Sequence, residues 1–395
     1  MANPSDEVSP QAILRLLGED EGETRACEAV EAWAKKGQWK ELVDLARALE
    51  VAADRNGTSK LEAFELVVDH LEDQLALGAG DDAVDALFAL SLDERERSVS
   101  VPRPRSLRLR AFASRLGYGQ GAPGFLAALE RHSGQAAHHE LLACWMHEVV
   151  LRGTSLATDP RAGRLQESLV RERHPLGDLP LALVATEREA PSYMPLYGDK
   201  GLGRAFEALA SGTMSIRTIP PPADGAPVEA KPVEDEGVRE RLVSAVRPWS
   251  EGKSGKIEAK VFELSPKVEA PTLGGWLLRI LPLASTARAS RLDVSRTGAD
   301  GVFGPLFSAA SNGGAYSSGL GGAYGRLAAW TSLGALVGAP EGADVLTIDK
   351  LATTSAFLTF RAGGPWFYDV AWDLGALALR PDGRTVAVLA ATDTE

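Results

Sequence analysis

The chain has 395 residues, of which 45% are hydrophobic and 24% charged, a balance that suits a globular protein of one large domain or two. Two cysteines, Cys27 and Cys144, exclude a disulfide framework, and no apolar run reaches the 18 residues of a membrane-spanning helix. The net charge of −12 sits in front: residues 1–100 hold 23 acidic against 10 basic side chains, residues 101–395 hold 31 against 32, so the acidic front repels nucleic acid.

The opening residues carry neither the basic nor the apolar region of a signal peptide, which predicts a cytoplasmic protein. From Ser9 to about Gly153 the apolar residues recur at three- and four-residue spacing. Val30 and Trp33, then Leu42, Leu45, Ala46 and Leu49, then Phe64, Val68, Leu71 and Leu75, each mark one helix face. Short helices joined by short turns, with no strand between them, predict an all-helical module over 1–153, a bundle or an irregular helical repeat. No fixed repeat period is found.

Residues 154–236 read as a mixed connecting region. A helix is expected near Arg161–Glu172, a strand or buried helical turn over Leu179–Thr186 and a short helix over Gly203–Ala210. Residues 219–232 are rich in proline and read as an extended solvated loop. Residues 237–395 read as an α+β domain. A helix over Gly237–Val246 stops before Pro248, and strand-like stretches follow at Ile257–Val261 and Trp276–Leu281. Further strands are expected at Ala356–Phe360, Trp366–Leu374, Ala376–Arg380 and Thr385–Ala391, and a helix over 323–338. Residues 301–395 hold only 13 charged side chains, so the sheet, mostly antiparallel, is expected to be covered on both faces. Pro381-Asp-Gly383 between two apolar runs is a hairpin turn.

Four groups of residues have chemical potential. The segment 312–326 repeats Gly-Gly-Ala-Tyr at Gly313 and Gly321 and runs into a helix. Glycines before a helix free backbone amides to converge on an anion, so Gly321, Gly322, Tyr324 and Arg326 form a candidate ligand site. The spacing matches neither phosphate-loop motif, Ser318 does not fit a nucleophile elbow, and no histidine follows His174. A loop packed tightly on the core is the competing reading. Asp369 and Asp373 are the second group. On a strand, four residues separate them by roughly 13 Å, too far for the roughly 5–9.5 Å of paired glycosidase carboxylates. They are expected to pair with Arg361, Arg380 or Arg384, or to cap a helical turn near Asp373. Glu140, Cys144, His147 and Glu148 share one helix face, but four ligands on one helix crowd a tetrahedral site, and no metal or other cofactor is expected. Arg103, Arg105, Arg108, Arg110 and Arg115 lack the interleaved aromatics that stack on bases, and their plainest partner is the chain's own acidic surface.

Trp366-Phe-Tyr-Asp-Val-Ala-Trp-Asp-Leu-Gly375, Leu379-Arg-Pro-Asp-Gly-Arg-Thr-Val-Ala-Val388 and Gly321-Gly-Ala-Tyr-Gly-Arg-Leu-Ala-Ala-Trp330 resemble an uncharacterised bacterial family of unknown function, mainly over 270–395. The resemblance implies a bacterial, cytosolic protein and carries no activity. The expected function is a non-enzymatic protein-interaction or accessory module with another protein as partner. The alternative is a small-ligand or anion binder, or an enzyme, using 312–326.

Overall fold

The computed structural model describes residues 9–17, 19, 21–56, 61–93, 105–190, 227–251, 254–315, 317–368 and 372–394. The chain is α+β and divides into two compact units. The first comprises residues 1–149 and 158–172, the second residues 150–157 and 173–395, so residues 158–172 of the middle region group with the helical part and its other described residues with the C-terminal part.

The first unit is helical: α1 (Pro10–Leu16), α2 (Gly22–Lys35), α3 (Trp39–Asn56), α4 (Leu61–Leu77), α5 (Asp81–Ser91), α6 (Arg105–Gly119), α7 (Gly121–His132), α8 (His139–Leu151) and α9 (Pro160–Arg171). Starts follow local chemistry. Ser9 accepts from the Ala12 amide ahead of Pro10, and Asp159 from the Arg161 amide ahead of Pro160, so each cap satisfies a donor that the helix leaves open. The spacing read from the sequence is the buried face: Val30, Leu42, Leu45, Leu49, Leu71 and Leu75 are fully buried. Helix α4 packs against α2, α3 and α6. Three arginines of α6 serve this packing. Arg115 bonds Asp69, Glu72 and Asp73 of α4, Arg108 bonds Glu50 of α3, and Arg105 donates to the Ser91 carbonyl. Arg103 lies outside the described residues.

The second unit is built on one antiparallel sheet of β1 (Glu229–Val233), β2 (Lys256–Ser265), β3 (Arg291–Thr297), β4 (Ala356–Gly363), β5 (Trp372–Leu379) and β6 (Thr385–Asp393), in the order β1-β2-β6-β5-β4-β3. Its helices are α10 (Ala185–Glu189), α11 (Glu236–Leu242), α12 (Arg247–Glu251), α13 (Gly275–Ile280), α14 (Asp300–Asn312), α15 (Gly321–Val337) and α16 (Val345–Thr354). One sheet face presents Phe262, Leu358, Phe360, Leu377, Val386 and Val388 to Leu273, Leu277, Leu278 and Leu281 on and around α13. The other face meets α12, α14 and α15. With both faces covered, β5 and β6 are buried almost end to end, and this is why they read as continuous apolar runs.

Four expectations are corrected. Trp276–Leu281 lies in helix α13 and its C-cap; six residues between Gly275 and Pro282, apolar but for Arg279, are too few to separate strand from helix by period, and burial of Leu277, Leu278 and Leu281 at helical spacing decides it. Residues 229–232 belong to β1, an edge strand that tolerates Pro232 because one of its sides needs no ladder donors. The strand expected from Trp366 begins at Trp372, since residues 364–366 turn after Gly363. Of the strand or buried helical turn expected over Leu179–Thr186, residues 179–184 form no regular element, and only Ala185 and the buried Thr186 are helical, at the start of α10. The helix expected over Gly203–Ala210 lies outside the described residues.

Candidate functional site

Helix α14 ends at Asn312, and the chain doubles back through residues 313–320 into α15. The two helices come close because the glycines have no side chains. A Cβ on Gly319 would lie 2.0 Å from the Ser311 carbonyl oxygen, and one on Gly325 would lie 2.9 Å from the Ser311 Cα. Inside the loop the Gly314 amide donates to the Ser317 hydroxyl at 2.9 Å. The Ala315 amide donates at 2.8 Å to Asp393, whose carboxylate is fully buried at the end of β6 and also accepts from the Ser254 hydroxyl. The loop does hold an anion, and that anion belongs to the protein. We expect Asp393→Ala to cost about 2–3 kcal/mol in urea unfolding, because three part-buried donors, the Ala315 and Thr394 amides and the Ser254 hydroxyl, lose their acceptor.

Arg326 follows the same rule. It is fully buried on α15, and its Nε and Nη2 grip the equally buried Glu187 of α10 at 2.5 and 2.9 Å. Its Nη1 donates to the Pro180 carbonyl and its Nη2 also to that of Ala182. Glu187 further accepts from the Trp330 indole at 2.9 Å and from the Val184 amide at 2.9 Å. The two-pronged guanidinium–carboxylate fit thereby ties residues 180–187, which lack a strand or long helix, to the helical layer. Of the other candidates in this segment, Gly322 is buried and Gly321 and Tyr324 are half-buried.

Asp373 is buried near the start of β5 and accepts from the Thr392 hydroxyl at 2.5 Å, and that hydroxyl in turn accepts from the Tyr368 amide. It sits on a strand, so the helical-turn reading does not hold. Arg380, one of its expected partners, is engaged elsewhere. It donates to the carbonyls of Ala335 and Leu336 at the C-terminus of α15, where open carbonyls favour a cation. Burial pulls the Arg380 pKa down. Asp369 lies outside the described residues. Asp373 and Asp393 stand on adjacent strands but on opposite faces, since their cross-strand partners are Thr392 and Trp372.

Sequence reading missed Glu187 and Asp393, whose partners are 139 and 78 residues away along the chain. It also passed over Thr392, for which a signal existed. The Pro381-Asp-Gly383 turn pairs Arg380 with Thr385, and counting outward along a hairpin places Asp373 opposite Thr392.

In the first unit, the Cys144 thiol donates to Glu140 at 3.7 Å, and burial pushes its pKa well above the usual thiol range. His147 and Glu148 are buried in the same helix. Among the described residues no group of three or more His, Cys, Asp or Glu is placed to hold a metal ion. Nearby, Phe88 stacks flat on His132 at 4.0 Å and meets the edge of His138 at 5.0 Å. His132 bonds Asp85, and neither His138 ring nitrogen finds a hydrogen-bond partner.

This arrangement sets a pH dependence. Burial, with His132 and the Arg105 guanidinium adding repulsion, holds the His138 pKa below the ordinary imidazole value. The native ring then binds fewer protons than the unfolded one, so its contribution is full above about pH 6.5 and is lost as pH falls through the lowered native value. His139 works in the opposite sense. Burial lowers its pKa, but Glu172 and the Ser133 carbonyl outweigh this and raise it, giving stability below about pH 6.5 that fades as pH rises through the native value. We expect His138→Phe to flatten the acid limb of stability against pH, measured by urea midpoints from pH 7.5 to 4.5; an unchanged acid limb would contradict the assignment.

No curated protein and no solved structure matches the chain significantly. A family model described as a family of unknown function, DUF6183, matches residues 24–395. That match takes in the acidic helices as well as the glycine-rich sheet unit, and the chain therefore belongs to the DUF6183 family.

Proposed function

We propose that this chain is a non-enzymatic protein-interaction or accessory module working in the cytoplasm. The observation that carries the reading is the state of Arg326. A ligand site in the glycine-rich segment would rely on this cation, yet it is fully buried and bound by Glu187, Pro180 and Ala182. The Ala315 amide, the loop donor best placed for an anion, is likewise engaged by Asp393. These side chains build the fold and leave little for a substrate. The two free cysteines agree with a reducing compartment. Among the described residues no helix is long and apolar enough to cross a membrane.

Two measurements test the reading. A thermal-shift screen of the purified chain against nucleotides, phosphorylated metabolites and divalent cations should leave the melting temperature unchanged. In-cell cross-linking followed by mass spectrometry should recover the chain joined to a defined protein. A saturable stabilisation by one of those small molecules, with no protein cross-linked, would overturn the proposal in favour of a ligand-binding role for 312–326.

A further inference from the structure

A cleft of about 320 Å³ opens in the second unit between the loop before β3 and the turn after β4. Its walls are Ser285, Arg288, Gly364, Pro365 and Trp366 with three alanines. The volume is at the lower end of small-molecule sites, which run from roughly 300 to 1,000 Å³.

Both walls are pinned before any ligand arrives. Glu258, buried on β2, accepts from the Ala284 and Ser285 amides at 2.8 Å each, and Lys260 donates to the Pro282 carbonyl at 2.8 Å. Burial alone would raise the Glu258 pKa, but the Ser285 amide and Lys260 hold it below the usual carboxylate range. On the opposite side Lys256 donates to the carbonyls of Pro365 and Trp366 while lying over the Tyr368 ring at 3.9 Å. The Ser290 amide joins the two walls through the Gly363 carbonyl. A preformed cleft loses little order when it is filled.

Its chemistry is one-sided. The eight lining residues include one cation, Arg288, and no acid. Arg288 is exposed and has no side-chain partner among the described residues, unlike the paired arginines of this sheet edge such as Arg291 on Asp293. Ser285 is 3% exposed, and its hydroxyl lies beside the Glu258 carboxylate that its amide also bonds. Trp366, half-buried and fixed at 4.6 Å against Phe367, adds an aromatic wall continued by Pro365 and the alanines. A guanidinium fork suits a planar carboxylate, and an indole beside it suits a flat apolar body. We propose that this cleft binds a small aromatic carboxylate, held at its acid group by Arg288 and along its ring by Trp366. The proposal is independent of the interaction role above, because it uses no residue of the glycine-rich segment.

The test titrates 2-naphthoate into the full chain by saturation-transfer NMR, with 2-naphthalenemethanol as the neutral counterpart. The expected result is a dissociation constant of about 1 mM or tighter for the acid and about tenfold weaker binding of the alcohol. Arg288→Gln and Trp366→Leu should each weaken the acid about tenfold, whereas Arg247→Gln, on α12, should leave it unchanged. Arg288 is exposed, so its variant folds and decides the question even where the tryptophan variant does not. Absence of saturation at about 10 mM, or equal binding by wild type and Arg288→Gln, would overturn the proposal.

Discussion

Arg326→Met should cost about 3–5 kcal/mol of stability, the largest loss expected from a single polar substitution in this chain. Four donors converge on Glu187, two of them from Arg326, and neither side chain is exposed. Removing the guanidinium leaves a carboxylate in the interior with only the Trp330 indole and the Val184 amide to answer it. The carbonyls of Pro180 and Ala182 lose a donor at the same time. Urea unfolding followed by tryptophan fluorescence measures the loss. The double variant Arg326→Met with Glu187→Leu should recover a large part of it, because an apolar pair leaves no buried charge. A double variant as unstable as the single one would show that packing around Arg326, and not the stranded carboxylate, sets the cost.

Gly319→Ala should be a second damaging change, at about 3 kcal/mol, although it adds one methyl group. The new Cβ would lie 2.0 Å from the Ser311 carbonyl oxygen and 2.4 Å from the Asn312 carbonyl carbon. Both are backbone atoms at the end of α14, so no side-chain rotation gives relief. The loop has to move, and with it the Leu320 amide that donates to the Ala310 carbonyl at 2.8 Å. Gly134→Ala is the matched control, since nothing lies within 4 Å of the point its methyl group would occupy, and it should cost little. Thermal melts of the two variants would separate close helix approach from a general penalty for losing glycine.

What the sequence made legible was local. Asp382 in the Pro-Asp-Gly turn accepts from the Arg384 and Thr385 amides within three residues of itself, and the turn was plain from those residues alone. The extent of α15 was readable to within two residues because glycines stand at both ends, Gly321 and Gly338. The helical nature of the first unit followed from period, which survives without knowledge of neighbours. What failed was long-range or aperiodic. Strand β3 offers only two apolar residues, Leu292 and Val294, and so short an alternation gave no signal. Helix α14 carries Pro305 in its middle and was not foreseen either. In the candidate site, the glycine segment was rightly singled out as unusual. Whether its amides and Arg326 serve a substrate or the fold depends on Asp393 and Glu187, and no local pattern ties those acids to it.

Strand β6 lies between β2 and β5, hydrogen-bonded to both. Ribosomes deliver β2 first, and the partner that covers its inner edge is made only after β3, β4 and β5 have emerged. Until then Ile257, Val261 and Phe262 have an open ladder beside them, and a nascent or prematurely terminated chain would expose a template for pairing with a stranger. Such a protein is expected to depend on chaperone shelter until β6 has emerged, and a stop codon between β5 and β6 should be as harmful as one just after β2.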